Sequence, residues 1–204
     1  MKTFSDTRRT VLLAILLAMG AILMLVEIPY PPVPWLMFDI SDLPIILAFE
    51  TLGFGAALLA SLIKSLINFL MKGMAGPLAI GQITALVSSM VLSLLYVAFR
   101  KGQGKHPAVA IISTMILYSA FLTFCNWLFI TPIYFGGLWF RDVMEWASFD
   151  SFIEGSHFHF GYTATILIVY FPFNLLKSGI VLALYELVEP RLLPQLRKAL
   201  HYRD

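Results

Sequence analysis

Asn126 in the apolar run 108–131, and Asn174 and Lys177 in the run 161–188, are the polar side chains most in need of a reason. A charged group inside such a run costs a few kcal/mol, and the usual reason for bearing that cost is a binding site or a pathway. Asn174 and Lys177 are three residues apart, so they project from one helical face and offer donors and an acceptor to something buried. With Asn126 they could surround a flat, neutral, hydrogen-bonding ligand whose faces are covered by apolar side chains. Structural alternatives stand beside this reading: a neighbouring carbonyl or carboxylate could hold Lys177, and Asn126 could pair with an adjacent helix.

A second polar series, Lys64, Asn68 and Lys72, recurs every four residues. Lys72 can snorkel to the surface, whereas the deeper Lys64 calls for a carboxylate, Glu50 or Asp42, and a structural ion pair is the favoured reading. Asp39 and Asp42 bracket Ser41, which places Ser41 or Asp42 to cap the helix that follows. His157 and His159 flank Phe158, but two histidines without a third ligand of fixed geometry make a poor zinc site, and no metal is expected. The single cysteine, Cys125, rules out an intrachain disulfide or a CxxC motif. No Walker A loop, HExxH, GxSxG or Rossmann glycine pattern occurs, so no catalytic residue is expected. An intramembrane enzyme would have little beyond His157 and Glu154 to use.

The elements that must position these groups follow from composition. Hydrophobic residues make up 59% of 204, with a mean hydropathy of +0.84, a surface written for lipid rather than water. The apolar runs lack sustained alternation, which argues for helices and against a transmembrane barrel. The expected fold class is an all-α membrane protein in one domain, 1–204. The apolar stretch after Arg8 and Arg9 ends in Glu27-Ile-Pro-Tyr-Pro-Pro rather than a small-residue cleavage site, so it is read as a retained span.

The stretch 43–71 is too long for one crossing: as a straight helix it would cover roughly 44 Å against a hydrocarbon core of about 30 Å. Gly53 and Gly55 offer a turn. With that turn the chain has six spans, near 10–28, 42–53, 55–72, 77–99, 108–131 and 161–188. Lys2, Arg8, Arg9, Arg100, Lys101, Lys105, Arg191, Arg197, Lys198 and Arg203 then share one side, which the positive-inside rule makes cytoplasmic together with both termini. Five spans would split them. Three connections, 29–41, 72–77 and 132–160, face outside. The last holds ten aromatic residues between Thr131 and Thr163, with Asp142, Glu145, Asp150 and Glu154, which suits either an interfacial belt or a ligand lid. Ala14 and Ala18 form a small-xxx-small pair, fitted to internal packing or to an intersubunit seam.

Several segments in order resemble the riboflavin-specific S component (RibU family) of energy-coupling-factor (ECF) vitamin importers. They are Glu27-Ile-Pro-Tyr-Pro-Pro, Phe38-Asp-Ile-Ser-Asp-Leu-Pro44, Leu62-Ile-Lys-Ser-Leu-Ile-Asn-Phe-Leu70, Gly81-Gln82, Asn126-Trp-Leu-Phe-Ile-Thr-Pro-Ile-Tyr134 and Pro172-Phe-Asn-Leu-Leu-Lys177. The resemblance implies a six-helix S component of an ABC importer in a bacterial cell membrane. It would bind riboflavin, or a close flavin, as cargo rather than cofactor, from outside. Its partners would be a transmembrane coupling protein and two cytoplasmic ATPase subunits, with no nucleic acid. By the same resemblance Asn126, Asn174 and Lys177 would bond the isoalloxazine ring, Phe38, Asp39, Gln82 and Tyr134 would complete the site, and loop 29–41 would close over it. Ala14 and Ala18 would meet the coupling protein. The chain departs from the family pattern at Thr84-Ala85, where Asn-Phe is frequent, and in its long aromatic outer loop. Alternative cargoes are thiamin, a queuosine precursor or another vitamin, although Lys177 argues against a cation. A self-powered secondary transporter is a further alternative, but no internal repeat is evident.

Overall fold

The computed structural model describes residues 2–103, 106–134 and 160–201. Six long helices run through them: α1 (Lys2–Leu23), α2 (Asp42–Leu52), α3 (Phe54–Lys72), α4 (Ile80–Gln103), α5 (Pro107–Cys125) and α6 (Tyr162–His201). α5 continues through a π-helical turn, Asn126–Ile130, into a last helical turn, Thr131–Tyr134. Helices α3 to α6 are each long and apolar enough to cross a membrane, and the chain is a multi-pass membrane protein. The loop residues His157 and His159, with Glu154 and the rest of 135–159, lie outside the described residues, as do Lys105 and Arg203.

Gly53 separates α2 from α3. Its φ of +94° suits a residue without Cβ, and its N–H still reaches the carbonyls of Ala48 and Phe49, closing α2 as the chain reverses. At 11 residues α2 is only about 16 Å long, well short of a bilayer core. It survives because its first seven residues, Asp42 to Ala48, are all buried among longer helices. α6 is the opposite case. Its 40 residues contain Pro172, Pro190 and Pro194, each of which removes one ladder hydrogen bond, yet the helix is continuous.

The main core joins Leu12 and Leu16 of α1, Ile46 and Leu47 of α2, Leu92 and Tyr96 of α4, Tyr118 and Leu122 of α5, and Leu182 and Tyr185 of α6. Leu192, Leu196 and Leu200 pack against the same cluster, so both chain ends lie at one end of the bundle. There Tyr96 donates to Glu186 at 2.6 Å, and Arg100 and Arg197 pair with Glu186 and Glu50. Glu50 is therefore spent at the termini end and leaves Asp42 as the partner for Lys64.

At the opposite end, the Pro-rich segment 29–41 contains a feature the all-helical expectation did not include. β1 (Ile28–Tyr30) and β2 (Val33–Phe38) pair antiparallel, with Ile28 opposite Phe38 and Pro31-Pro32 at the turn. Two-stranded hairpins are marginal alone. This one is held because Val33 is fully buried against Tyr162, Ile166, Val169 and Tyr170 of α6. The rings of Tyr30, Phe38 and Phe173 also meet at centroid distances of 4.9–5.6 Å, a spacing typical of favourable aromatic pairs.

Candidate ligand-binding site

At the hairpin end of the bundle lies a cavity of ≈ 270 Å³, walled by β2, α3, α4, α5 and α6. Asn126, Asn174, Lys177, Asp39 and Tyr134 all line it. The structure thus brings five of the seven expected site residues to one wall system, from segments up to 138 positions apart in sequence.

Asn126 sits at the start of the π turn. Pro132 has no N–H to give the carbonyl four residues back, and an opened helical turn just before it accommodates that loss. The Asn126 amide is partly committed: Nδ2 donates to the Leu122 carbonyl at 2.8 Å, and Oδ1 receives a long contact from Thr131 Oγ1 at 3.5 Å. Asn174 differs. It is 4% exposed, and its Nδ2 has no hydrogen-bond partner among the described residues. A buried amide donor left unpaired costs about 1–3 kcal/mol, a debt that a ligand acceptor in the cavity would cancel.

Lys177 donates to Asp39 Oδ2 at 2.9 Å and stands 4.0 Å from Asp42 Oδ2. The ammonium is thus anchored by a carboxylate, and the residue also lines the cavity. Burial alone would push the Asp39 carboxyl upward, but the Lys177 and Lys64 ammonium groups and a bond from Ser41 hold it well below the usual carboxylate range. Because Asp39 immediately follows β2, this ion pair fastens the base of the hairpin to α6.

Two expected residues are placed elsewhere. Gln82 does not line the cavity: its Nε2 donates to the Gly73 carbonyl at 2.9 Å and to Asn68 Oδ1 at 3.2 Å, while its Oε1 accepts from Ala75 N at 3.1 Å. Its amide is consumed in shaping the turn between α3 and α4. Phe38 lies one residue away from the wall, its ring turned to Tyr30 and Phe173, and it borders a separate groove with Ile180. The capping expectation also needs correction. Ser41 precedes α2 but makes no side-chain cap, because its hydroxyl donates to Asp39 and accepts from Lys64 Nζ at 3.0 Å.

Lys64 takes the structural role expected of it, with Asp42 at 2.6 Å and Ser89 Oγ at 2.8 Å. Lys72 pairs with Glu27, itself a residue of the cavity wall, rather than merely reaching for water. Ala14 and Ala18 are exposed together with Val11, Ile15 and Ile22, on the face of α1 opposite the buried Leu12 and Leu16. Sequence reasoning missed Tyr118, Thr131, Tyr170 and Phe173 as wall residues. Helical spacing could have found all but Thr131, since Tyr118 and Leu122 precede Asn126 by about whole turns and Tyr170 and Phe173 stand one turn before Asn174 and Lys177.

Residues 8–189 match the model of the family described as ECF transporter, substrate-specific component. The chain belongs to this family. Among its relatives are the riboflavin transporter FmnP of Bacillus subtilis (strain 168), 22% identical over 92% of this chain and 93% of that protein, and the riboflavin transporter RibU of Staphylococcus aureus (strain TCH60), 28% identical over 63% and 68%. A solved structure titled "Structure and mechanism of the S component of a bacterial ECF transporter" superposes with a TM-score of 0.70, covering 94% of this chain and 99% of that one at 21% identity. That similarity shows the S-component fold. In this S component, strand β2 of the hairpin supplies part of the cavity wall, whereas no residue of the short α2 lines it.

Proposed function

We propose that this S component binds riboflavin, or a close flavin, from the outer side of a bacterial cell membrane and delivers it to partner subunits that hydrolyse ATP. The observation that carries the reading is the unpartnered Asn174 amide beside Lys177 and Asn126 on the wall of a cavity otherwise lined by Tyr118, Leu122, Ile130, Tyr170 and Phe173. Such a wall suits a planar ring with several acceptors along one edge, apolar on both faces and polar at the rim. The names of the FmnP and RibU relatives support the same cargo.

The orientation follows from charge: both termini and the cationic loops face the cytoplasm, which turns the hairpin and cavity outward. The hairpin, held by Asp39 and Lys177, closes over the bound vitamin. A transmembrane coupling protein with two ATPase subunits docks on the Ala14 and Ala18 face of α1, whose small side chains permit close helix approach. Purification from riboflavin-fed cells should yield a yellow protein, and riboflavin fluorescence should be quenched on titration with the apo form. Asn174→Ala should weaken binding by about tenfold with unfolding unchanged, as expected for one lost ligand hydrogen bond. A colourless protein with no quenching, or an unaltered affinity in Asn174→Ala, overturns the reading or the site respectively.

A further inference from the structure

A small polar chamber of ≈ 70 Å³ opens beside the main cavity, bounded by Asp42, Lys64, Ser65 and Met24 and sharing Glu27, Asp39, Asn68 and Lys177 with the main cavity wall. It differs from the main cavity in its chemistry. Its lining carries donors and acceptors in mixture rather than aromatic faces. Two of its buried polar atoms have no hydrogen-bond partner among the described residues: Asp42 Oδ2, in a residue 1% exposed and 4.0 Å from the Lys177 ammonium, and Ser65 Oγ, in a residue 7% exposed. The other Asp42 oxygen is fully used by Lys64 and Ser89. A buried carboxylate oxygen without a donor, next to a free hydroxyl, is costly unless a guest group completes it.

The required guest must donate to a carboxylate and also accept from a hydroxyl or ammonium. Water and an alcohol both do this, whereas a carbonyl only accepts and an ammonium only donates, so of the groups a ligand could insert in place of water the hydroxyl is the one that fits. A phosphate or carboxylate would meet Asp39, Asp42 and Glu27 unfavourably, and a methyl group would leave both atoms unpaired. The volume holds one or two hydroxylated carbons and not a ring, since a single water already takes about 30 Å³ of liquid.

We propose that this chamber is a second subsite, which receives terminal hydroxyl groups of the ligand's polyol chain while the ring occupies the main cavity. This rests on the flavin reading above. Ser65 is then a specificity-determining residue: it does not touch the ring but selects for the hydroxylated arm, and Lys177 and Asp39 stand at the junction of the two compartments.

The test uses two flavins, riboflavin and lumiflavin, which share the ring system and differ in that lumiflavin carries a methyl group in place of the polyol. Binding of each is measured by fluorescence quenching to the full chain in detergent, for the unsubstituted protein, Ser65→Ala and Ser65→Val, with thermal unfolding as a check on folding. Ser65→Val, which fills the chamber with apolar volume, should weaken riboflavin by about tenfold or more, and Ser65→Ala by less, with lumiflavin affinity unchanged in both. Equal losses for the two flavins, or none for either, overturn the subsite and leave the flavin reading intact. Failure of the unsubstituted protein to bind either flavin overturns both.

Discussion

Two buried lysines, on α3 and α6, show how one residue type serves two ends. Lys64 is saturated: its ammonium reaches Asp42, Ser41 and Ser89, and its side chain is 6% exposed. Lys177 spends one donor on Asp39 and is 14% exposed, with the rest of its ammonium facing the cavity. Both costs of burial are met by a carboxylate within hydrogen-bonding distance, but only Lys177 retains capacity for a guest. Depth in an apolar helix therefore identifies a group that needs an explanation. The count of donors already used decides between structure and binding.

The largest effect that would break this comparison lies at Lys64. Lys64→Met leaves the buried Asp42 carboxylate with only the more distant Lys177 ammonium, 4.0 Å away, and removing one member of a buried pair costs about 3–5 kcal/mol. Equilibrium unfolding in detergent should show that loss, and the double substitution Lys64→Met with Asp42→Leu should recover most of it, because apolar replacement of both members removes the stranded charge. If Lys64→Met folds as well as the unsubstituted chain, the ion pair is dispensable and the two lysines are not distinguished by saturation.

Lys177→Met should act mainly on the ligand. Loss of a charged donor costs about 1.5–3 kcal/mol, or roughly 10- to 150-fold in Kd, read by riboflavin titration. Its unfolding free energy should fall by less than that of Lys64→Met, because the Asp39 side chain, 15% exposed, has water and the Ser41 N–H and hydroxyl to turn to. A larger stability loss at Lys177 than at Lys64 would reverse the assignment.

The same distinction explains what could be read from the chain alone. The six-helix count followed from length and cationic loops, since both are one-dimensional properties, and the break came at Gly53. Asn126, Asn174 and Lys177 stood out because polar groups are rare in apolar runs. The hairpin was not visible: its strands are short, proline-rich and stabilised by α6 from far along the chain, so no local pattern announces them. Gln82 was offered as a site residue by the resemblance alone; a shared motif shows a donor's presence and not its commitments, and here the turn from Gly73 to Ala75 uses them. The Asp39–Lys177 pair, 138 positions apart, was likewise beyond local reading.

The smallest expected effect is one of pH, and it sharpens the role of that pair. A carboxyl whose folded pKa lies below its ordinary 3.8 contributes stability that is present above that value and is lost only as pH falls toward the lower, folded one. Asp39 should thus stay ionised, and the hairpin stay fastened to α6, throughout the mildly acidic range. Riboflavin affinity should change by less than about twofold between about pH 7 and about pH 5, where an ordinary surface carboxylate would already be starting to take up protons. Asp39→Asn removes the charge and should weaken binding at every pH in that window without introducing a slope, because the residue that could titrate is gone. A steep fall in affinity of the unsubstituted chain by about pH 5, absent from Asp39→Asn, would mean that Asp39 is protonated there and that Lys177 does not hold it as the 2.9 Å contact implies.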